Sequence, residues 1–208
     1  MCDTCGCDQT NNPITFNKPG KANEHTHDHT YTQMHDHGYN EHNRDLSKSK
    51  VIQIEQDVLN INNLLAQKNR GYLEAKNIIT LNLVSSPGSG KTTLLEKTIT
   101  DLKKEITFFV IEGDQQTMND ANRIDATGTP VIQINTGNGC HLNADMVNKA
   151  VKKLEVKDNS LLVIENVGNL ICPSLFDLGE TYRIVIISVT EGDDKPIKYP
   201  NIFHSSDI

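Results

Sequence analysis

The stretch Ser85-Ser86-Pro87-Gly88-Ser89-Gly90-Lys91-Thr92 constrains the fold of this chain more than any other. It matches G-x-x-x-x-G-K-[ST] except that Ser85 stands where the first glycine belongs. An apolar run, Ile78 to Val84, precedes it, and residues 92–104 carry helical spacing. A strand running through a glycine turn into a helix is the setting in which backbone N–H groups cradle a polyphosphate. Gly88, Ser89 and Gly90 supply the tight backbone path. Lys91 can reach the β- and γ-phosphates, and Thr92, with Thr93 beside it, offers a hydroxyl to Mg²⁺. An ordinary Gly/Ser turn would not bring a lysine and two threonines to one helix start.

Further apolar runs at residues 107–111, 131–134, 161–164 and 184–189 alternate with helical spacing at 143–154. This alternation predicts an α/β fold of the P-loop NTPase type, with a mostly parallel sheet covered on both faces. Val51, Ile54, Val58, Ile61, Leu64 and Leu65 predict an amphipathic helix to about Ala66, extending toward Lys76, with that stripe facing the core. Residues 1–50 are polar and lack periodicity, so they are expected to form a disordered tail ahead of a domain at 51–208.

Carboxylates should emerge at the strand ends beside the phosphate loop. Glu112-Gly113-Asp114 and Glu165-Asn166-Val167-Gly168 follow two of the apolar runs. Asp114 is a candidate Mg²⁺ ligand, and Asp114 and Glu165 with Lys91 are the candidate catalytic set. The Glu165 to Gly168 spacing suits a switch in which a glycine N–H senses the γ-phosphate. Asp120 is a further candidate. No arginine finger is evident, so slow turnover is expected.

All five cysteines fall in metal-ligand groupings. Cys2, Cys5 and Cys7 form C-x-x-C-x-C at the chain start, soft ligands suited to nickel, zinc or copper(I). Cys140-His141 follows the turn Gly137-Asn138-Gly139, and Cys172 lies just beyond the Glu165 to Gly168 segment. Adjacent ligands on a turn, joined by one from another loop, make a site with an open or shared position, and two such half-sites in a dimer could share one ion. Six of the eight histidines lie between His25 and His42, interleaved with Asp28 and Asp36, a weak multi-ion tract. The odd cysteine count and the lack of an export signal imply reduced thiols and a cytoplasmic setting. A net charge of −7 argues against nucleic acid, and no apolar stretch is long enough for a membrane span.

Together, Ser85 to Thr92, Glu112-Gly113-Asp114, Gly137 to Leu142, Glu165 to Asn169 and Thr190-Glu191-Gly192-Asp193-Asp194-Lys195-Pro196 resemble the hydrogenase nickel-incorporation GTPases of the HypB family, a SIMIBI-class P-loop group. The resemblance runs from about Val51 to Pro200, and the cysteine head resembles the family's high-affinity nickel motif. It implies a GTP-hydrolysing metallochaperone that delivers Ni²⁺ to a hydrogenase large-subunit precursor. It also implies a HypA-type zinc-containing accessory partner and a nucleotide-linked homodimer. Carried over, Cys140, His141 and Cys172 would bind nickel or zinc, with GTP and Mg²⁺ held at Lys91, Thr92 and Asp114. The family's Asn-Lys-x-Asp, which reads guanine, is absent from the sequence. The chain ends about where its strand would begin, so a C-terminal truncation with an exposed apolar sheet edge is expected. Three other readings stay open on sequence alone: a non-enzymatic nickel or zinc store, a urease-type nickel GTPase, and an ATP-dependent P-loop enzyme.

Overall fold

The computed structural model describes residues 14–20 and 44–208 apart from 116. Six strands form one sheet in the order β1-β4-β3-β5-β2-β6. They are β1 (Thr15–Asn17), β2 (Ile79–Ser85), β3 (Phe108–Asp114), β4 (Val131–Asn135), β5 (Leu161–Glu165) and β6 (Tyr182–Ile186). The five from β2 to β6 run parallel, while β1 is antiparallel to β4. Helices α1 (Arg44–Ala75), α2 (Lys91–Leu102), α3 (Asn119–Asp125) and α4 (Ala144–Leu154) accompany them, with the short α5 (Lys195–Lys198) and α6 (Pro200–His204) near the end.

The central strands are buried on both faces, which is why they read as continuous apolar runs. One layer joins Ile111, Ile132, Ile134, Leu162 and Ile164 to Val147, Ala150, Val151 and Leu154 of α4. The opposite layer joins Val110, Val131 and Val163 to Leu95 and Ile99 of α2 and to Ala121 and Ile124 of α3. Parallel strands end at a common edge, so β2, β3, β4 and β5 all deliver their following loops to one side of the domain.

Helix α1 departs from the expected orientation. Its anticipated inward stripe faces solvent, with Ile54, Val58, Ile61 and Leu64 exposed. The buried face is Asn62, Ala66, Asn69 and Leu73. Asn69 Nδ2 donates to Ala144 O at 2.8 Å and Leu178 O at 3.0 Å, and Asn62 Nδ2 donates to Asp177 O at 2.8 Å. The helix therefore docks through side-chain amides that satisfy loop and helix-end backbone groups. Apolar periodicity cannot report such a face.

Two expectations about the chain ends also change. Within 1–50, Thr15–Asn17 is a strand and α1 begins at Arg44, so a boundary at 51 falls inside a helix. The rest of that tail, including the cysteine head and the histidine tract, lies outside the described residues. The β6 edge is not bare: Asp207 N donates to Arg183 O at 2.9 Å and Val185 N donates to Ile208 O at 2.8 Å. Ile202, Tyr199 and Phe203 pack under it with Val84 and Leu170.

Candidate nucleotide cleft and thiol–imidazole centre

The loop after β2 takes left-handed backbone at Gly88 (φ 74°) and Gly90 (φ 95°), Gly90 standing at the N-cap of α2. Ser85 is not among the left-handed positions, so a side chain there is tolerated where the usual pattern has glycine. Its hydroxyl accepts from Lys91 Nζ at 2.8 Å and so parks the lysine beside the loop. Pro87 to Thr93 line a cleft of about 410 Å³ with Glu112, Asp114, Asp120, Arg123 and the segment Glu165 to Gly168.

On its floor, β3 and β5 pair Glu112 with Glu165 across the ladder. Thr92 Oγ1 donates to Glu165 Oε1 at 2.7 Å. Glu112 Oε2 and Glu165 Oε2 are buried without a partner. Ligand oxygens of Glu112, Asp120 and Glu165 lie within 4.8 Å of one another. Burial, then the neighbouring Glu165 charge, pushes the Glu112 carboxyl well above the usual carboxylate range. Burial likewise raises Glu165, opposed by the Thr92 hydroxyl and the Lys91 charge. Three carboxylates and a threonine hydroxyl, with two oxygens unsatisfied, form an oxygen-rich set that fits a hard divalent cation. The sequence pointed to the segment Glu112-Gly113-Asp114 but gave the Mg²⁺ role to Asp114 and not to Glu112. Alternation puts Glu112 and Asp114 on the same face of β3, and depth separates them: Glu112 is buried, while Asp114, the last residue of the strand, is only half-buried. Asp114 lines the rim, where its carboxylate accepts from Gln115 N at 2.6 Å and from Thr117 N and Oγ1 at 3.1 and 2.7 Å. Arg123 also lines the cleft. Its guanidinium donates to Glu96 Oε2 at 2.6 Å and to Thr93 Oγ1 at 3.1 Å.

Past β4, Thr136 shapes the predicted turn: Gly139 N donates to Thr136 O at 2.9 Å, and Thr136 Oγ1 donates to Gly139 O at 2.7 Å. This turn presents Cys140 and His141. Cys172 opens a 3₁₀ turn, Cys172–Ser174, whose approach is fixed by Asn169 Oδ1 accepting from Ile171 N at 2.7 Å. The sulfurs of Cys140 and Cys172 are 2.7 Å apart, and Cys140 Sγ is 3.6 Å from His141 Nδ1. His141 is buried and stacks on Phe176 with centroids 3.9 Å apart. Burial lowers its pKa to about 4, so the imidazole is neutral at physiological pH, the form that binds metal. The structure thus brings together the three internal ligands that the sequence singled out. Two thiols and an imidazole form a soft trio with room for a fourth ligand.

One segment joins the two sites. Gly168 approaches the phosphate loop so closely that a Cβ there would sit 2.9 Å from Pro87 Cα. Asn166 Oδ1 accepts from Leu142 N at 3.2 Å, the residue after His141, while its amide donates to Asn82 Oδ1 at 3.3 Å. Asn82 continues to Glu180 at 3.0 Å, and Arg183 Nε reaches the same oxygen at 2.9 Å. Asn166 is a bridging residue to which sequence reasoning gave no role. Its signal was only its place between Glu165 and Gly168.

The profile of the CobW/HypB/UreG nucleotide-binding domain matches residues 79–206. The chain is 59% identical to the hydrogenase maturation factor HypB of Azotobacter chroococcum over 163 residues, covering 78% of this chain and 53% of that one. It is 46% identical to HypB of Escherichia coli K12, covering 100% of this chain and 81% of that one. The chain therefore spans about half the length of the Azotobacter relative. Among solved structures, HypB from Helicobacter pylori in complex with nickel aligns with a TM-score of 0.67 at 44% identity, over 70% of this chain and 69% of that one.

Proposed function

The chain belongs to the HypB family of hydrogenase maturation factors, and from that premise we propose that it is a GTP-hydrolysing nickel metallochaperone. It delivers Ni²⁺ for maturation of a nickel–iron hydrogenase large subunit, in the cytoplasm, with a HypA-type zinc-containing accessory protein and a nucleotide-linked homodimer. One observation carries the reading: the segment from Glu165 to Cys172 lines the phosphate cleft at one end and supplies a sulfur to the Cys140–His141–Cys172 trio at the other. The nickel complex of the Helicobacter pylori relative supports the choice of cargo.

In this reading the glycine loop and the α2 N-terminus bind the triphosphate, and Lys91 leaves Ser85 for the β- and γ-phosphates. Thr92, Glu112, Asp120 and Glu165 would hold Mg²⁺, with Asp114 at the rim, and the ion would neutralise charge on the transferring phosphoryl group. Glu165 is held by the Thr92 hydroxyl and sits where it can position the attacking water. Arg123 lines the cleft with its guanidinium engaged by Glu96 and Thr93, in keeping with slow turnover. Cys140, His141 and Cys172 bind nickel or zinc internally, and Cys2, Cys5 and Cys7 capture nickel.

Equilibrium binding of fluorescent GTP and ATP analogues with Mg²⁺ tests the proposal. Tight binding displaced by GDP and not by ADP is expected. Equal displacement by both would overturn guanine specificity, and the sequence's lack of Asn-Lys-x-Asp makes this the sharpest point of failure. Deleting residues 1–12, which leaves β1 and α1 whole, should leave nucleotide hydrolysis intact. Its loss together with all metal capacity would favour a storage protein instead.

A further inference from the structure

Arg123 stands on the last turn of α3, and its side chain crosses to α2. Nη2 and Nε donate to Glu96 Oε2 at 2.6 and 3.1 Å, and Nη2 also donates to Thr93 Oγ1 at 3.1 Å. Nη1 donates to Asp120 Oδ1 at 3.5 Å, and Asp120 belongs to the carboxylate group that includes Glu112 and Glu165. Thr93 and Glu96 are three residues apart on α2 and so share one face of it. Glu96 lies about 4.5 Å farther along the axis from the helix N-terminus that cradles phosphate. The guanidinium thus stands between the phosphate cradle and the cation-binding oxygens, with its shortest bond to the contact farther from the cradle. Among the described residues lining the cleft, Lys91 and Arg123 are the two cations, against four carboxylates.

We propose that Arg123 is a catalytic arginine latched by Glu96, and that a nucleoside triphosphate with its Mg²⁺ draws it about one helical turn down α2 onto the phosphates. The inference rests on the reading of this cleft as a triphosphate hydrolase. In the reaction a water oxygen bonds to the γ-phosphorus while the bond from phosphorus to the β–γ bridging oxygen breaks. The diphosphate keeps that bond's electrons, one water proton stays on inorganic phosphate, and the other passes to solvent. Arg123 makes and breaks no covalent bond. Its forked N–H groups neutralise charge that builds on the bridging and γ-oxygens. The latch suits a part that must let go. The Arg123 and Glu96 side chains are 41% and 40% exposed, and ion pairs at such exposure shift an equilibrium by about fivefold or less. A polyphosphate, which accepts two parallel N–H bonds from the same fork, competes well against one carboxylate oxygen. A simple brace between α2 and α3 would make the same contacts, and the two roles differ in the sign of what Glu96 does to turnover.

The test measures phosphate release from Mg²⁺–GTP and Mg²⁺–ATP by the full chain at saturating nucleotide, with a thermal melt of each variant. Glu96→Gln should raise kcat about three- to fivefold. Arg123→Gln should lower it at least about tenfold with KM changed by less than about threefold, the pattern of a contact made in the transition state. In the double variant the gain from Glu96→Gln should vanish, because there is no arginine left to release. Arg123→Lys keeps the charge and the stem but not the fork, so it should also lose turnover, and it serves if the glutamine variant does not fold. If both single variants lose turnover and melt lower, the contact is a brace and the inference falls. If Glu96→Gln speeds the reaction equally without Arg123, the gain comes from removing a negative charge, and the inference falls as well. Hydrolysis unchanged in every variant overturns the inference alone. Absence of hydrolysis of either nucleotide by the unaltered chain overturns the hydrolase reading and the inference together.

Discussion

At the scale of single residues, the cleft floor holds opposed demands. Glu112 and Glu165 face each other across the ladder, each with an oxygen that finds no partner. Removing water from a carboxylate favours its protonated form, and a second carboxylate alongside favours it further. Glu112 accordingly binds a proton in the folded, metal-free protein at pH values where the unfolded chain has released it. With more protons bound in the folded state, stability must fall as pH rises from the ordinary carboxylate range through the raised pKa. Urea unfolding in EDTA should show this decline. Glu112→Gln should flatten it and stabilise the metal-free protein at neutral pH, while weakening Mg²⁺-dependent nucleotide binding at least tenfold. A steeper pH dependence in the variant would show that Glu112 is not the titrating group.

At the scale of elements, α1 shows how polar contacts can orient a helix against its own apolar stripe. Asn69 is buried, donates to two backbone carbonyls, and accepts from Asn148 Nδ2 at 2.8 Å. Asn69→Ala removes three hydrogen bonds and leaves their partners buried and unsatisfied, a cost of about 3 kcal/mol. The thermal midpoint should drop by about 6–12 °C for a domain of this size. A change under 2 °C would mean that α1 is held by something other than its amides. The same helix marks the limit of what sequence carries. The phosphate loop, the four central strands and the trio of Cys140, His141 and Cys172 were legible because glycine torsions, two-sided burial and ligand chemistry each restrict residue type. The face of α1, the strand at Thr15–Asn17 and the role of Asn166 were not. An asparagine amide serves turns, caps and long-range backbone contacts equally well, and a three-residue edge strand has too few residues for periodicity to register.

At the scale of the whole molecule, parallel strands bring two chemistries to one edge, and the segment from Glu165 to Cys172 belongs to both. Gly168 lies against Pro87 of the phosphate loop, while Asn166 holds Leu142 beside the candidate metal ligand His141. A γ-phosphate entering the cleft has to displace or tighten this segment, and a metal ion at Cys172 restrains it from the other end. If each ligand biases this one segment, the physical condition for coupling between the sites is met. Coupling of binding free energies is reciprocal. The factor by which a non-hydrolysable GTP analogue changes the Ni²⁺ dissociation constant must equal the factor by which Ni²⁺ changes that of the analogue. A value between about 5 and 150 is expected. Measuring both by titration calorimetry closes the cycle. Asn166→Ala, at a cleft-lining residue that also holds Leu142, should shrink both factors together toward one while each site still binds alone. If the variant left both factors intact, coupling would have to run through the backbone from Gly168 to Cys172 without the Asn166 link to Leu142.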